Sequence, residues 1–245
     1  MSNKINYYYI DESGAIDNDS SIFILGCIKT EDPKTLQEEL NKIIRDINES
    51  IYFDQETKDE IREHGFHAVD NHPDVRAKFY SVLPLLNFRS YFIIINKKDT
   101  YFKKLAEKYS SDLIYKICIS NLLSDRLKKG KAEKNILYFE ELTFKDSSLN
   151  KIITEFLKEF INIDIEYHIV NKLEMNLSLI DYINYIFYSI LNDTTKKQTR
   201  MNQNFELIRP KIGSIKYLNQ KKYFSRHKEY NLTDIIKTYD GCTKG

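Results

Sequence analysis

Apolar and polar positions along the chain fall into two alternating periods, and the sequence divides at the points where one gives way to the other. Ile5 to Ile10 is a β-branched and aromatic run that ends on Asp11, and Ser21 to Ile28 is a second such run. Gly14 and Asp17-Asn18-Asp19 supply turn chemistry between them, which predicts an antiparallel β-hairpin. Asp32-Pro33 then opens a helix over 33–50, with Leu36, Leu40, Ile43, Ile44 and Ile47 on one face. Residues 51–63 are charged and less regular, Gly65 to Val69 is a short strand or extended piece, and 73–86 has helical spacing. Arg89 to Asn96 holds the most apolar strand, followed by a long helical region over 101–129. Strands are expected at 135–142 and 165–170, each followed by a helix, at 147–162 and 178–191. The polar stretch 192–204 reads as a mobile loop, and 205–218 as the start of a C-terminal helical extension.

A hairpin followed by alternating β and α elements predicts an α/β fold, a mixed sheet flanked by helices, and excludes a purely parallel doubly wound sheet. No internal repeat or Pro/Gly-rich linker divides the chain, so 1–245 is expected to be a single domain.

Composition changes this picture little. The 37 basic and 36 acidic residues balance to a net charge of +1, a sum that can hide a basic groove beside an acidic site. Cys27 and Cys118 lie in apolar runs and read as buried free thiols. Cys242 stands in a Gly-flanked tail and reads as exposed. The spacing matches no metal motif. Free thiols, the absence of an apolar leader at the N-terminus and of any apolar run near the roughly 18 residues of a membrane helix fit a cytoplasmic protein. The 18 Tyr and 14 Phe make a homodimer plausible without naming a patch.

Candidate chemistry centres on carboxylates. Asp11 and Glu12 end the first strand, and strand alternation lets only one of them face a given cleft along it. Glu140 and Glu141 end another apolar strand, and Asp181 sits inside an apolar helix where a buried carboxylate needs a partner, a cap or a metal. A turn or cap is the plain alternative for each. Three such positions suit Mg²⁺ or Mn²⁺, which takes hard oxygen ligands from distant parts of a chain. His64 and His67 complete no zinc pattern, and neither a nucleophile elbow nor a Gly-rich phosphate loop is present. Lys97, Lys98 and Lys211 are candidates for nucleic-acid phosphates, although solvated lysines are common in so lysine-rich a chain.

Tyr8-Tyr9-Ile10-Asp11-Glu12-Ser13-Gly14, followed by Phe23-Ile24-Leu25-Gly26, resembles the opening of the prokaryotic DUF3800 family. Leu177-Ser178-Leu179-Ile180-Asp181-Tyr182-Ile183 is similar to that family's Leu-Gln-Leu-Ala-Asp-Tyr-Ile segment. The resemblance covers about 1–215 and implies an RNase H-like fold with a metal-dependent nuclease site, in a defence or mobile-element setting. Asp11 then matches the first acidic position, Asp181 the last, and Glu140 or Glu141 an intermediate one. His67 matches the histidine of a Glu-Leu-His block whose Glu position is held here by Gly65, with Glu63 nearby. The implied function is hydrolysis of RNA or DNA, with Glu12 as a ligand or supporting acid and His67 orienting water or phosphate. A non-catalytic nucleic-acid or protein-binding module, working with a partner protein, and a hydrolase of a small phosphorylated substrate are the alternatives.

Overall fold

The computed structural model describes residues 4–17, 20–130, 132–193, 195, 199–218 and 223–241. Its centre is a seven-stranded mixed sheet in the order β5-β4-β1-β2-β3-β6-β7. The hairpin is formed as expected: β1 (Ile5–Ser13) pairs antiparallel with β2 (Ile22–Thr30), and β2 with β3 (Arg89–Asn96). On the other side of β1 lie β4 (Lys134–Glu140) and β5 (Ile165–Val170), both parallel to it. Past β3, the sheet ends in β6 (Ile212–Tyr217), parallel to β3, and the short β7 (Tyr223–Ser225).

Helices cover both faces because strand alternation sends apolar side chains both ways. Tyr9, Ile24, Ile28, Phe92 and Ile94 meet α1 (Pro33–Glu49), α2 (Gln55–His64), α3 (Pro73–Val82) and α7 (Leu177–Asn192) on one face. Tyr8, Ile10, Phe23, Leu25, Cys27 and Ile93 meet α4 (Thr100–Lys108), α5 (Ser111–Lys129) and α6 (Leu149–Leu157) on the other. Cys27 and Cys118 are buried free thiols, as expected, while Cys242 lies outside the described residues. No helix of the described residues is long and apolar enough to cross a membrane.

Several expectations need correction. The region 51–63 is more regular than its charge suggested: Asp54 accepts a hydrogen bond from the Thr57 N–H (2.8 Å) and caps α2. The helical region 101–129 breaks at Tyr109, and Ser110 opens α5. Residues 65–69 are not a strand; Gly65, at φ 74°, stops α2 and the chain turns into a loop. The proposed loop 192–204 contains the start of α8 (Thr199–Ile208), while 194 and 196–198 lie outside the described residues. The expected C-terminal helical extension ends there. Pro210 interrupts helical bonding, and Ile212, Ile215 and Tyr217 enter the core as strand β6, with α9 (Leu232–Gly241) following β7.

Candidate functional site

Strand order positions the acids. β1 and β4 are parallel neighbours paired up to Ile10 opposite Phe139, so Asp11 and Glu140 leave the sheet side by side. Behind them, Tyr9, Tyr138 and His168 stand in register on β1, β4 and β5 and stack at 4.8 and 5.0 Å, which stiffens the strands carrying the acids. His168 belongs to this ladder.

The third acid arrives on α7, and Gly26 lets that helix come close. Gly26 pairs with Asp11 across the hairpin, and a Cβ on it would collide with the Asn184 and Ile180 side chains. Asn184, fully buried, donates to the Asp11 carbonyl at 3.1 Å. Asp181 lies one turn earlier on the same helix. It is not a cap: its Oδ2 accepts the Ala68 N–H at 2.8 Å, across 113 residues of sequence.

That bond also fixes the loop bearing His67. The His67 N–H donates to Asn71 Oδ1 (2.8 Å), the Tyr182 hydroxyl donates to the same oxygen (2.6 Å), and Arg76 donates to the Ala68 carbonyl (3.0 Å). His67 Nδ1 thereby stands 3.9 Å from Asp181 Oδ2. The loop does what a strand was expected to do. Gly65, at positive φ, is needed for the turn, so a glutamate at that position would be strained.

These elements enclose a cavity of about 100 Å³ lined by Asp11, Glu12, His67, Glu140, Asp181 and Lys172. Alternation points Asp11 and Glu12 to opposite faces, yet both line it, because the strand ends at Ser13 and the recess wraps around its tip. Glu12 also walls an adjoining apolar recess with Tyr115 and Phe144. Asp11 is buried, and its Oδ1 accepts the Glu12 N–H at 2.7 Å. Burial raises the Asp11 carboxyl well above its usual range, a hydrogen bond with Glu140 adds to this, and the charges of Glu12, Glu140 and Asp181 push the same way. Burial, then Glu140, pushes Glu12 up to about 8. Burial raises Asp181 too, against the opposing pull of the Ala68 N–H and His67. Lys172 is the one counter-charge along the wall, 3.6 Å from Glu140; burial would lower its pKa, but Glu140, Asp11 and Asp181 raise it.

Glu12 Oε2 is buried with no hydrogen-bond partner, on a side chain that lines both the acid recess and the apolar one beside it. The donors are mostly hard carboxylate oxygens, the type a small divalent cation prefers, with one imidazole beside them. Among the described residues, however, no group of three or more His, Cys, Asp or Glu side chains is placed to hold a metal ion. The acids line a recess; they do not yet make a shell.

The remaining candidates lie elsewhere. Glu141 is exposed and gives its N–H to the Val170 carbonyl at 2.9 Å, so β4 contributes Glu140 to the cavity and not Glu141. Glu63 is exposed and does not line the cavity. Lys97 donates to the Ala15 carbonyl at 2.7 Å, Lys98 lines a separate cavity with Ser21 and Asn96, and Lys211 donates to the Leu86 carbonyl. Lys172 escaped sequence reasoning. Its signal was topological: it follows β5, whose last paired residue, Val170, stands beside Glu140. The chain matches no family model, and no curated protein matches it.

Proposed function

We propose that this protein is a divalent-metal-dependent nuclease, on the RNase H-like arrangement that the DUF3800 resemblance implies. The observation carrying this reading is that Asp11, Glu12, Glu140 and Asp181, from β1, β4 and α7, line one recess with a single lysine to offset them. Four carboxylates in one place repel one another, and a divalent cation removes that cost while using their oxygens. Asp11, Glu140 and Asp181 would hold the ion, with Glu12 as a further ligand or a supporting acid. A bound Mg²⁺ or Mn²⁺ supplies charge stabilisation at a phosphodiester and a more acidic water.

The chain's own groups do the positioning. Ala68 holds Asp181 in orientation, and His67 beside it can orient water or donate to a phosphate oxygen. Lys172, largely exposed at the rim, offers a cation to the same phosphate. A recess of about 100 Å³ is smaller than the roughly 300–1,000 Å³ of small-ligand pockets. It admits a phosphate while the rest of the substrate stays outside, which favours a polymer over a small phosphorylated metabolite.

The test offers end-labelled single-stranded and duplex DNA and RNA to the wild type and to Asp11→Asn with Mn²⁺. Cleavage by wild type alone is expected; equal cleavage by both, or none on any substrate, defeats the proposal. The lack, among the described residues, of a group placed to hold a metal ion favours one other reading, a non-catalytic binding module. Mn²⁺ titration separates the two, because a ligand of the native state raises its melting temperature. A melting point unmoved by Mn²⁺ supports the module.

A further inference from the structure

At the opposite end of the sheet, the last residues of β2 and the first of β3 form a second cavity of about 370 Å³. Lys29, Arg89 and Arg226 converge on it, with Tyr91 in its wall. Lys29 and Arg89 are register partners on adjacent antiparallel strands, an arrangement in which like charges repel directly. Partial relief comes from Glu31, whose charge acts on Lys29, and from the Pro210 carbonyl, which accepts from Arg89. The one carboxylate lining the cavity, Glu31, is held by Lys4 at 2.8 Å, and among the described residues Lys29, Arg89 and Arg226 form no ion pair.

A fourth cation stands behind the wall. The Arg126 guanidinium lies 3.8 Å from the centre of the Tyr91 ring, donates to Ser214 (2.7 Å) and to the Leu122 carbonyl, and leaves its buried Nε without a partner. Burial lowers the pKa of both Arg126 and Lys29, outweighing the opposing pull of Glu31 on Lys29 and of Asp125, among other neighbours, on Arg126. Three cations that form no ion pair among the described residues converge on one cavity whose single carboxylate is already engaged by Lys4, an arrangement suited to an anion from outside.

We propose that this cavity is a binding site for a phosphate-bearing ligand of about nucleotide size. The charge surplus exceeds what a single carboxylate would neutralise, so a multiply charged anion fits better. Guanidinium groups recognise phosphate oxygens in pairs, and the lysine adds a point charge. The volume lies within the range of small-ligand pockets, and half-buried Tyr91 stands in the wall with Arg126 behind its ring. The phosphate comes either from a free nucleotide or polyphosphate, or from an oligonucleotide strand. The site is independent of the acid recess, which lies at the other end of the sheet.

The full-length protein, in EDTA so that divalent ions play no part, is melted with increasing tripolyphosphate, adenosine triphosphate or a short single-stranded oligonucleotide. A saturable rise of roughly 3–6 °C is expected at about ten times the dissociation constant. Lys29→Gln with Arg226→Gln should weaken the affinity by about tenfold or more, while Asp11→Asn and Lys151→Gln, the latter at an exposed lysine of α6 outside the cavity lining, leave it within about twofold. Removing Lys29 also relieves its repulsion from Arg89, so the ligand-free variant melts no lower than wild type; if the double variant does not fold, Arg226→Gln, exposed, is used alone. Tighter binding of the nucleotide than of tripolyphosphate assigns a role to Tyr91, and saturation by the oligonucleotide alone assigns the phosphate to a strand. No saturable shift with any of the three, or the same affinity after the substitutions, overturns the site.

Discussion

At the C-terminal ends of β1 and β4, four carboxylates share one recess with a single lysine, whereas at the far ends of β2 and β3 three cations line a cavity whose carboxylate is already taken. The net charge of +1 conceals both, because they cancel in the sum and not in space. Their construction differs in a way that matters. The acid recess is small and tied together by hydrogen bonds reaching from β1 to α7 and from α7 to the His67 loop. The basic cavity is more than three times larger, and its cations are held by carbonyls and rings. One region is built to hold acids in a fixed relation to one another. The other is built to leave charge available.

Removing one acid makes the sharpest contrast. Asp11→Asn should lower nuclease activity on the order of a thousandfold, about 4 kcal/mol of transition-state stabilisation, while leaving the basic cavity's ligand affinity unchanged. Single-turnover cleavage with Mn²⁺ and tripolyphosphate titration measure the two separately. A parallel loss at both sites would make them one site.

Gly26 tests whether close approach of α7 builds the recess. Gly26→Val places a side chain against Asn184 and Ile180 and should cost about 1–3 kcal/mol, a fall in melting temperature of roughly 3–10 °C. At temperatures where the variant is folded, it should also lose activity, since Asp181 moves with the helix. A folded and fully active Gly26→Val would show that α7 does not set the acid geometry.

How much of this was legible in the sequence follows from where each contact is made. The hairpin, α1 and α7 were legible because their signals are local: alternation, a Pro-opened helix, an apolar face. Asp11 and Asp181 stood out because carboxylates in apolar elements are costly. Strand β6 was not legible, since Ile212 to Tyr217 becomes a strand only by lying beside β3, which is more than a hundred residues earlier. The His67 loop looked extended because nothing local signals that Asp181 holds it from the far side of the chain. Lys172 and the basic cavity depend on strand order, and strand order is a property of the whole sheet.

The raised carboxyl pKa values add a pH dependence of intermediate size. Asp11, Glu12 and Asp181 titrate higher in the folded protein than in the unfolded chain, Glu12 moving from 4.5 to about 8. Over that interval the folded state binds more protons than the unfolded state, so stability falls as pH rises from about 4.5 to 8. Melting the metal-free protein across this window should show stability falling steadily, by on the order of a few kcal/mol. Glu140→Gln, which removes the largest charge repulsion on Glu12, should flatten the slope, and saturating Mn²⁺ should do the same in wild type. A flat wild-type profile would mean that the acids are not forced together.

The smallest expected effect separates two adjacent glutamates and is the finest test of the acid recess. Glu140 lines the cavity beside Lys172, while Glu141 is exposed and engaged only through its backbone N–H. Glutamine keeps that N–H in both variants, so only the carboxylate is removed. Glu141→Gln should therefore change stability by less than about 0.5 kcal/mol and leave cleavage within roughly twofold, as ordinary surface substitutions do. Glu140→Gln should abolish most cleavage and raise metal-free stability at pH 8. Since both residues sit at the end of one strand, a disturbance of the β4 backbone would affect the two variants alike. Only a carboxylate that faces the recess can distinguish them, and equal outcomes would remove Glu140 from the proposed ligand set.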